Sequence, residues 1–313
     1  MVPAYTSWDI QHMHTNIITF TDTQRDIMAG LLAKYVHADK RHISNLLDHE
    51  KTELAKIATT YLGDDDKKTL TEYPSNSSTI LLFRNIPQAW ALPATPLSDA
   101  PFPPNLPDDW FMAGITAACH ETILGTPGNI AHKDWATLRE VSYHDPISLH
   151  YDPKNATGVM LSCRRNYPDW DVRTSFFSPK EMIHNFEESN QEDVLAQLRK
   201  KQFCLQTFHR EPFPILITDP NSRLPLISDK ITTDTLARLQ SEPEGAQALE
   251  AFRTYFNTHL ISIALQPGEA VLWPNRHIAH GVLHPFKVSS NPHEERWVQR
   301  LFMQDVPAPE RRL

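Results

Sequence analysis

Residues 296–303 constrain the fold of this chain more than any other stretch. Their sequence, RWVQRLFM, predicts a β-strand, in which alternate side chains point to the same face of the sheet. Arg296, Val298, Arg300 and Phe302 therefore share one face. Because a guanidinium group suits a carboxylate ligand, two arginines beside two apolar groups indicate a binding face. The alternative is that both arginines are ordinary surface residues.

A second strand and a histidine–glycine pair precede this segment. The apolar run at 270–273 follows the turn residues Pro267 and Gly268, which is typical of a strand. His280 and Gly281 fall in the connection between the two strands, which we expect to be polar. An imidazole beside a glycine suits the close approach of a ligand or metal ion. The alternative is a surface histidine.

Composition bounds the class of protein. The chain has 313 residues, 40% of them hydrophobic, which is enough to bury a sizeable core. Its net charge of -8 argues against nucleic acid as the main partner, and no apolar run approaches the roughly 20 residues that span a bilayer. There is no pattern of a secretory signal, and the three cysteines form no CxxC motif. We therefore expect a cytoplasmic protein that binds a small molecule.

The order of the predicted elements favours a β core with an outer helical layer. Residues 22–62 and 110–124 show helical periodicity. Gly63 and the acidic run 64–66 are expected to end the first helical section. The proline-rich stretch 87–107 excludes a helix or a central strand. Helical inserts are expected at 179–200, where Ser178 is the N-cap, and at 233–260. Strands are predicted at 78–84, 147–152, 158–163, 174–177, 203–208 and 215–218. We expect one domain, 1–313, whose helical part (about 1–75) packs on an antiparallel barrel or sandwich.

The chain contains several candidate metal-ligand pairs. A non-haem Fe(II) site uses two histidines and one carboxylate, and its usual form on a strand is His-x-Asp/Glu, because residues two apart share a face. The five such pairs are His37/Asp39, His132/Asp134, His150/Asp152, His209/Glu211 and His293/Glu295. The motif is therefore too frequent to identify a site without its context.

The context favours His150 and Asp152. They lie on a predicted strand that is followed at once by another strand, whereas the pair at 37/39 lies on a predicted helix, where residues two apart diverge. The pairs at 209/211 and 293/295 fall at the end of a strand and in a charged connection. His132 and Asp134 remain the best alternative. With His280, the preferred pair gives two imidazoles and one carboxylate.

Motifs across residues 78–305 occur in the order found in a known enzyme family. They are ILLFRNIP at 80–87, LPATP at 92–96, LHYD at 149–152, LSCR at 161–164, LQPGE at 265–269, NRHIAHG at 275–281 and ERWVQR at 295–300. The sequence resembles the clavaminate synthase-like, TauD-related Fe(II)/2-oxoglutarate dioxygenases, which include hydroxylases of arginine, asparagine and enduracididine. The resemblance implies a mainly β protein, with a double-stranded β-helix (jelly-roll or cupin-like) core and flanking α-helices.

The resemblance also implies a cofactor set and its ligands. His150, Asp152 and His280 are expected to bind Fe(II) and form the catalytic centre, leaving three coordination positions open. Two of these would take 2-oxoglutarate and the third O₂, the cosubstrate. Decarboxylation of 2-oxoglutarate to succinate and CO₂ would then provide the oxidant.

Four further residues match positions with binding roles in the family. Arg296, with the hydroxyl of Thr174, is expected to bind the distal carboxylate of 2-oxoglutarate. Arg300 is expected to contact the cosubstrate or an anionic group of the substrate. Asp229 resembles an acidic position that binds a cationic substrate side chain, although a loop acid is more often simply solvated.

The sequence departs from the family pattern near the proposed ligands. The loop between His150 and Cys163 is shorter than is usual in the family. Because this loop often lies over the substrate in family members, the resemblance does not predict the identity of the substrate. His144 can be aligned in place of His150, but Pro146 would then occupy the carboxylate position. Val282 replaces the arginine that usually follows the His-Gly pair.

The expected activity is hydroxylation of an unactivated C–H bond in a small polar metabolite. The first candidate is a free amino acid that resembles arginine or lysine. One alternative is a desaturase or cyclase that uses the same cofactors. A second is a binding protein that keeps the barrel without catalysis, which the retention of His150, Asp152, His280 and Arg296 argues against.

Overall fold

The computed structural model describes most of the chain. The described residues are 13–37, 43, 46–73, 79–89, 91–92, 106–123, 128–130, 142–144, 146–152, 156–166, 172–205, 211–219, 224–228, 231–284, 286–288, 291, 293 and 296–305. The helices are α1 (Asp22–His37), α2 (Asp48–Thr59), α3 (Asp64–Thr71), α4 (Pro107–Ala118), α5 (Pro179–Glu188), α6 (Glu192–Leu198), α7 (Thr233–Arg238), a 3₁₀ helix (Pro243–Gly245) and α8 (Ala246–His259).

Seventeen strands are formed by these residues. They are β1 (His14–Thr19), β2 (Thr79–Arg84), β3 (Glu121–Ile123), β4 (Gly128–Ile130), β5 (Ser142–His144), β6 (Ile147–His150), β7 (Gly158–Arg165), β8 (Thr174–Phe177), β9 (Phe203–Leu205), β10 (Leu216–Thr218), β11 (Pro225–Ile227), β12 (Leu239–Ser241), β13 (Ile261–Ile263), β14 (Glu269–Pro274), β15 (Ala279–Val282), β16 (Phe286–Val288) and β17 (Trp297–Asp305).

Two sheets form the β core. The major sheet has seven strands in the order β1-β2-β14-β7-β17-β3, with β4 also paired to β17. The minor sheet has four strands in the order β13-β8-β15-β6. In the major sheet only β1 and β2 pair in parallel, and the other pairs recorded there are antiparallel. Three two-stranded ribbons, β10-β11, β9-β12 and β5-β16, complete the described strands.

The two sheets enclose an apolar core. Leu161 and Val298 from the major sheet pack in the same buried cluster as Phe176 from the minor sheet. The rings of Phe176 and Trp273 meet edge to face, with centroids 5.2 Å apart. This sandwich is the arrangement that the sequence predicted.

Helices cover both outer faces of the sandwich. Helices α1, α2 and α4 contribute to one buried cluster with residues of the major sheet, such as Leu81 and Met160. Helices α5, α6, α7 and α8 form a second cluster behind the minor sheet, with Phe177 and Ala279. As predicted, Ser178 caps α5: its hydroxyl accepts a hydrogen bond from the Glu181 N–H at 3.3 Å. No helix in the described part of the chain is long and apolar enough to cross a membrane.

A buried ionic cluster joins α4 to β7. The Nε atom of Arg164 lies 2.8 Å from the carboxylate of Asp108, and its Nη2 atom lies 2.5 Å from that of Asp109. Burial is the main cause that raises the pKa of Asp109 to about 6, with Asp108 adding to it and Arg164 opposing it. The Arg164 guanidinium also lies 4.8 Å above the ring of Trp297. The cluster thus connects the first turn of α4 to the strand that follows Arg296.

Three of the predicted boundaries are wrong. The acidic run at 64–66 was expected to end the helical section, but it forms the first turn of α3, where negative charges favour the helix N-terminus. Helix α4 ends at Ala118 instead of continuing to 124, since residues 121–123 pair with β17. The connection that carries His280 is not simply polar, because residues 279–282 form strand β15 of the minor sheet. Most of the proline-rich stretch, 93–105, lies outside the described residues.

Candidate active site

Two histidines and an aspartate meet at the edge of the minor sheet. His150 of β6 and His280 of β15 are direct partners in the antiparallel pair, and their ring centroids lie 4.3 Å apart. Asp152 follows β6 by two residues. Each side chain has one potential ligand atom, and these three atoms lie within 4.8 Å of one another. Among the described residues, this is the one group of histidine, cysteine or acidic side chains that could hold a metal ion.

The donor atoms of this cluster suit a divalent metal ion. The Nδ1 atom of His150 lies 2.9 Å from the carbonyl oxygen of Ser148, which can only accept, so Nδ1 carries the proton and Nε2 keeps its lone pair. The Oδ2 atom of Asp152 lies 3.1 Å from the Nε2 atom of His280, and both side chains are buried. A carboxylate oxygen and imidazole nitrogens are donor atoms that Fe(II) accepts, so a metal ion could bind these atoms in place of their mutual contact.

The charges of the cluster are those of metal ligands. Burial is the largest cause acting on the pKa of His280 and lowers it, which keeps the imidazole neutral. Burial opposes ionisation of Asp152, but His280, Arg300 and His150 outweigh it, so the pKa of this carboxyl lies below its ordinary value. Metal ions bind neutral imidazole and ionised carboxylate. The residues present therefore fit an Fe(II) ion.

Both histidines of the cluster line a cavity between the two sheets, and Asp152 contacts two residues of that lining, His280 and Arg300. The cavity has a volume of about 280 Å³. Its lining residues are Ile147, His150, Leu161, Thr174, His280, Gly281, Val282, Arg296, Val298 and Arg300. The cavity thus brings together the two histidines, the threonine and both arginines that the sequence singled out. Arg296 and Thr174 are almost fully buried, so a ligand carboxylate there would meet their donors away from water.

Arg300 lies between the metal-ligand cluster and the mouth of the cavity. Its Nη1 atom donates to Oδ1 of Asp152 at 3.3 Å, and its guanidinium lies 4.5 Å from the centre of the Phe302 ring. About a third of its side chain is exposed, at 34%. Arg296, Val298 and Arg300 all line the cavity, so the alternation predicted for this strand holds despite a register shift between Trp297 and Val298.

A comparison with protein families agrees with this site. Residues 149–302 match the family described as taurine catabolism dioxygenase TauD, TfdA family. This segment contains the two histidines, Asp152 and both arginines. The chain carries a TauD/TfdA family domain. No curated protein matches the chain in a direct comparison of sequences.

Solved structures of oxygenases share the fold of this chain. An asparagine oxygenase is 15% identical with a TM-score of 0.61, covering 92% of this chain and 93% of its own. The non-heme iron oxygenase OrfP, in complex with Fe and alpha-ketoglutaric acid, is 15% identical with a TM-score of 0.58, covering 94% and 95%. These likenesses confirm the predicted fold, a double-stranded β-helix with flanking helices.

Gly281 lines the cavity and also has a structural role that the sequence did not predict. The sequence suggested that a glycine beside His280 admits a ligand. A Cβ atom on Gly281 would lie 2.6 Å from the carbonyl oxygen of Ile147 and 2.8 Å from that of Ser148. The missing side chain therefore lets β15 approach the backbone of β6, which keeps His280 close to His150.

Several sequence candidates lie outside the described residues. These include Asp229, the alternative ligand pair His132 and Asp134, and the side chain of His144, whose backbone forms part of β5. The proposed roles of these residues stay predictions. Cys119 and Cys163 are buried thiols, as expected, whereas Cys204 is half-buried.

The structure adds site residues that the sequence did not single out. Leu161 and Val282 line the cavity, and the buried hydroxyl of Tyr151 accepts a hydrogen bond from the N–H of Ile227 at 3.3 Å. That bond ties the segment between the two ligands of the His-x-Asp pair to strand β11. This contact could not be predicted from the sequence around Tyr151, because its partner lies 76 positions away in the chain.

Proposed function

We propose that this TauD/TfdA protein is an Fe(II)- and 2-oxoglutarate-dependent dioxygenase that hydroxylates a small polar metabolite. One observation carries the proposal. His150 and His280, which form a cluster with Asp152, line the same cavity as the carboxylate-binding candidates Arg296 and Thr174. A metal site and a cationic pocket for a dicarboxylate thus lie side by side between the two sheets.

The chain's residues would divide the work as follows. When bound, Fe(II) and 2-oxoglutarate supply, with O₂, the oxidising chemistry that a side chain cannot, and release succinate and CO₂. His150, Asp152 and His280 hold the metal ion on one face. Arg296 binds the distal carboxylate in two-pronged fashion, with the Thr174 hydroxyl as a further donor. The apolar walls of the cavity keep bulk water away from the reacting groups.

The proposed substrate is a free amino acid. Arg300 is partly exposed at the mouth of the cavity and close to the cluster, where a substrate carboxylate would arrive. The fold neighbours include an asparagine oxygenase with bound Fe(II), 3-hydroxyasparagine and succinate, and OrfP with bound (3R,4R)-dihydroxy-L-Arg. Asp229 is the candidate that would select a cationic, arginine- or lysine-like side chain.

The remaining expectations accompany this proposal. We propose that residues 1–313 act as one domain, because residues of α1, α2 and α4 share a buried cluster with the major sheet. The free cysteines favour a reducing cytoplasm. The partner is a small molecule rather than a nucleic acid, in keeping with the net charge of -8.

Turnover of 2-oxoglutarate tests the proposal. Purified protein is incubated with Fe(II), 2-oxoglutarate and each of the twenty amino acids in turn, and succinate is measured together with product mass. We expect substrate-dependent succinate and a product heavier by one oxygen for at least one amino acid, with arginine and lysine first. A product lighter by two hydrogens would instead identify a desaturase or cyclase. Ligand binding without any succinate would favour the binding-protein alternative.

A further inference from the structure

Asn275 bonds to the backbone of the aspartate in the metal-ligand cluster. It lies in the turn between β14 and β15, and its side chain is only 2% exposed. Its Oδ1 atom accepts a hydrogen bond from the Asp152 N–H at 2.9 Å. Its Nδ2 atom donates to the carbonyl oxygens of Asp152, at 3.3 Å, and Ala156, at 3.0 Å. One buried amide thus binds both polar groups of the Asp152 peptide backbone.

Asp152 needs such an anchor because it lies beyond the end of its strand. Strand β6 ends at His150, so sheet pairing fixes that histidine against His280 but does not extend to Asp152. The contacts of Arg300 and His280 with Asp152 reach its carboxylate, not its backbone. Asn275 precedes His280 by a few residues in the same chain segment. Its hydrogen bonds therefore connect that segment to the one that carries His150 and Asp152, in addition to the pairing of β15 with β6.

We infer that Asn275 is the positioning residue that sets where the Asp152 carboxylate meets the metal ion. The inference rests on the proposed metal role of Asp152. An amide suits the task, because it offers an acceptor to the N–H and donors to two carbonyl groups at once. An aspartate would turn its carboxylate towards two carbonyl oxygens, and an apolar residue would leave three buried backbone groups without partners.

Metal binding by the isolated protein tests the inference without turnover. Apo protein is titrated with Co(II), which reports both affinity and coordination through its visible absorption, and the melting temperature of each apo variant is measured separately. The variants are Asn275→Ala, Asn275→Ser, Asp152→Ala and a matched control, Asn166→Ala. Asn166 also donates its amide to a backbone carbonyl, that of Leu265 at 2.8 Å, a residue outside β6 and β15.

We expect Asn275→Ala to weaken Co(II) binding by roughly 10- to 100-fold and to shift the Co(II) absorption, as is typical when a group that orients a ligand is removed. Asn166→Ala should leave affinity and spectrum unchanged at a comparable melting temperature. Wild-type affinity and spectrum in Asn275→Ala, or an equal loss in Asn166→Ala, would overturn the inference. So would loss of the fold in both Asn275 variants, because the residue would then serve the fold.

Asp152→Ala separates this inference from the proposed function. If that variant binds Co(II) as the wild type does, the metal site itself is wrong and the role of Asn275 is overturned with it. If Asp152→Ala loses Co(II) while Asn275→Ala does not, the metal site stands and only the positioning role fails.

Discussion

The imidazole rings of His150 and His280 lie 4.3 Å apart because the two residues are direct partners in adjacent antiparallel strands. Their separation is therefore set by backbone hydrogen bonding between β6 and β15 rather than by side-chain packing alone. Side chains of directly opposed residues lie closer than any others across a sheet. Under the proposed function, the strand pairing therefore positions both histidines before a metal ion arrives.

The first prediction concerns this pair. We expect His150→Ala and His280→Ala each to abolish Fe(II) binding and turnover while the protein stays folded, since each removes one of the two imidazole donors. Anaerobic Fe(II) titration and circular dichroism measure the two effects. His184→Ala, on helix α5, is the matched control. If His132→Ala abolished Fe(II) binding and His150→Ala did not, the choice among the five pairs would be wrong.

The second prediction concerns Gly281. We expect Gly281→Ala to weaken metal binding at least about tenfold and to destabilise the protein by roughly 1–3 kcal/mol, because the new methyl group would press on two backbone carbonyl groups of β6. Gly30→Ala in α1 is the control, since a Cβ there meets nothing within 4 Å. That change should stabilise the helix slightly, by about 0.5–1 kcal/mol. Urea unfolding measures the stability of both variants, and Co(II) titration measures their metal affinity. Equal stability and affinity in Gly281→Ala and the wild type would contradict the prediction.

The third prediction separates the two arginines. Arg296→Ala should raise the Kd for 2-oxoglutarate by roughly 30- to several-thousand-fold, since loss of one partner of a buried charged pair costs about 2–5 kcal/mol. Arg300 is more exposed and nearer the mouth of the cavity, so Arg300→Ala should act more on the KM of the substrate. Titrations with 2-oxoglutarate and with substrate check the ranking. The opposite ranking would exchange their roles.

The fourth prediction concerns the type of reaction. If Asp152 is a metal ligand, its carboxylate fills the position that a halide ion would need, so the wild-type protein should oxygenate or desaturate its substrate and never halogenate it. A site built on His144 would place Pro146 there and leave the position open. Turnover in excess chloride or bromide, with products identified by mass, distinguishes the two. A halogenated product would point to His144.

The fifth prediction concerns acid stability. Burial is the main cause that lowers the pKa of His277 to about 4, and the charges of Lys180 and Arg276 act in the same direction. Between pH 6.5 and 4 the unfolded chain therefore takes up a proton that the folded chain resists, so His277 makes stability fall as the pH falls. His277→Gln should lose less stability than the wild type from pH 7 to pH 4 in urea unfolding. Equal losses would contradict the assignment.

The sequence predicts best the parts of the site that depend on local periodicity. Arg296 and Arg300 were placed on one face because strand side chains alternate, and both line the cavity. His150 was chosen because residues 147–152 were predicted to form a strand; that strand exists, but it ends at His150, two residues before Asp152. These features need only the few residues around them, so a short window of sequence contains the information.

Long-range contacts were not predictable in the same way. Asn275 and Asp152 are 123 positions apart, and nothing in either neighbourhood marks them as partners. The structural role of Gly281 depends on a strand that arrives from more than a hundred residues earlier. Likewise, the acidic run at 64–66 could have ended one helix or begun another, and in the structure it forms the first turn of α3.

The segment between β8 and β13 leaves and rejoins the minor sheet at neighbouring positions, because Phe176 pairs with Ile261 and Thr174 with Ile263. Its two ends are therefore tied together irrespective of what lies between them, and lengthening such an excursion adds little entropic cost. We expect that residues 178–260 can be exchanged as one unit if the replacement again covers Phe177 and Ala279, which the present segment buries. The replacement must also supply the hydrogen bonds that Ile231 now makes with Leu149 and Ile227 with Tyr151, because those two residues flank His150.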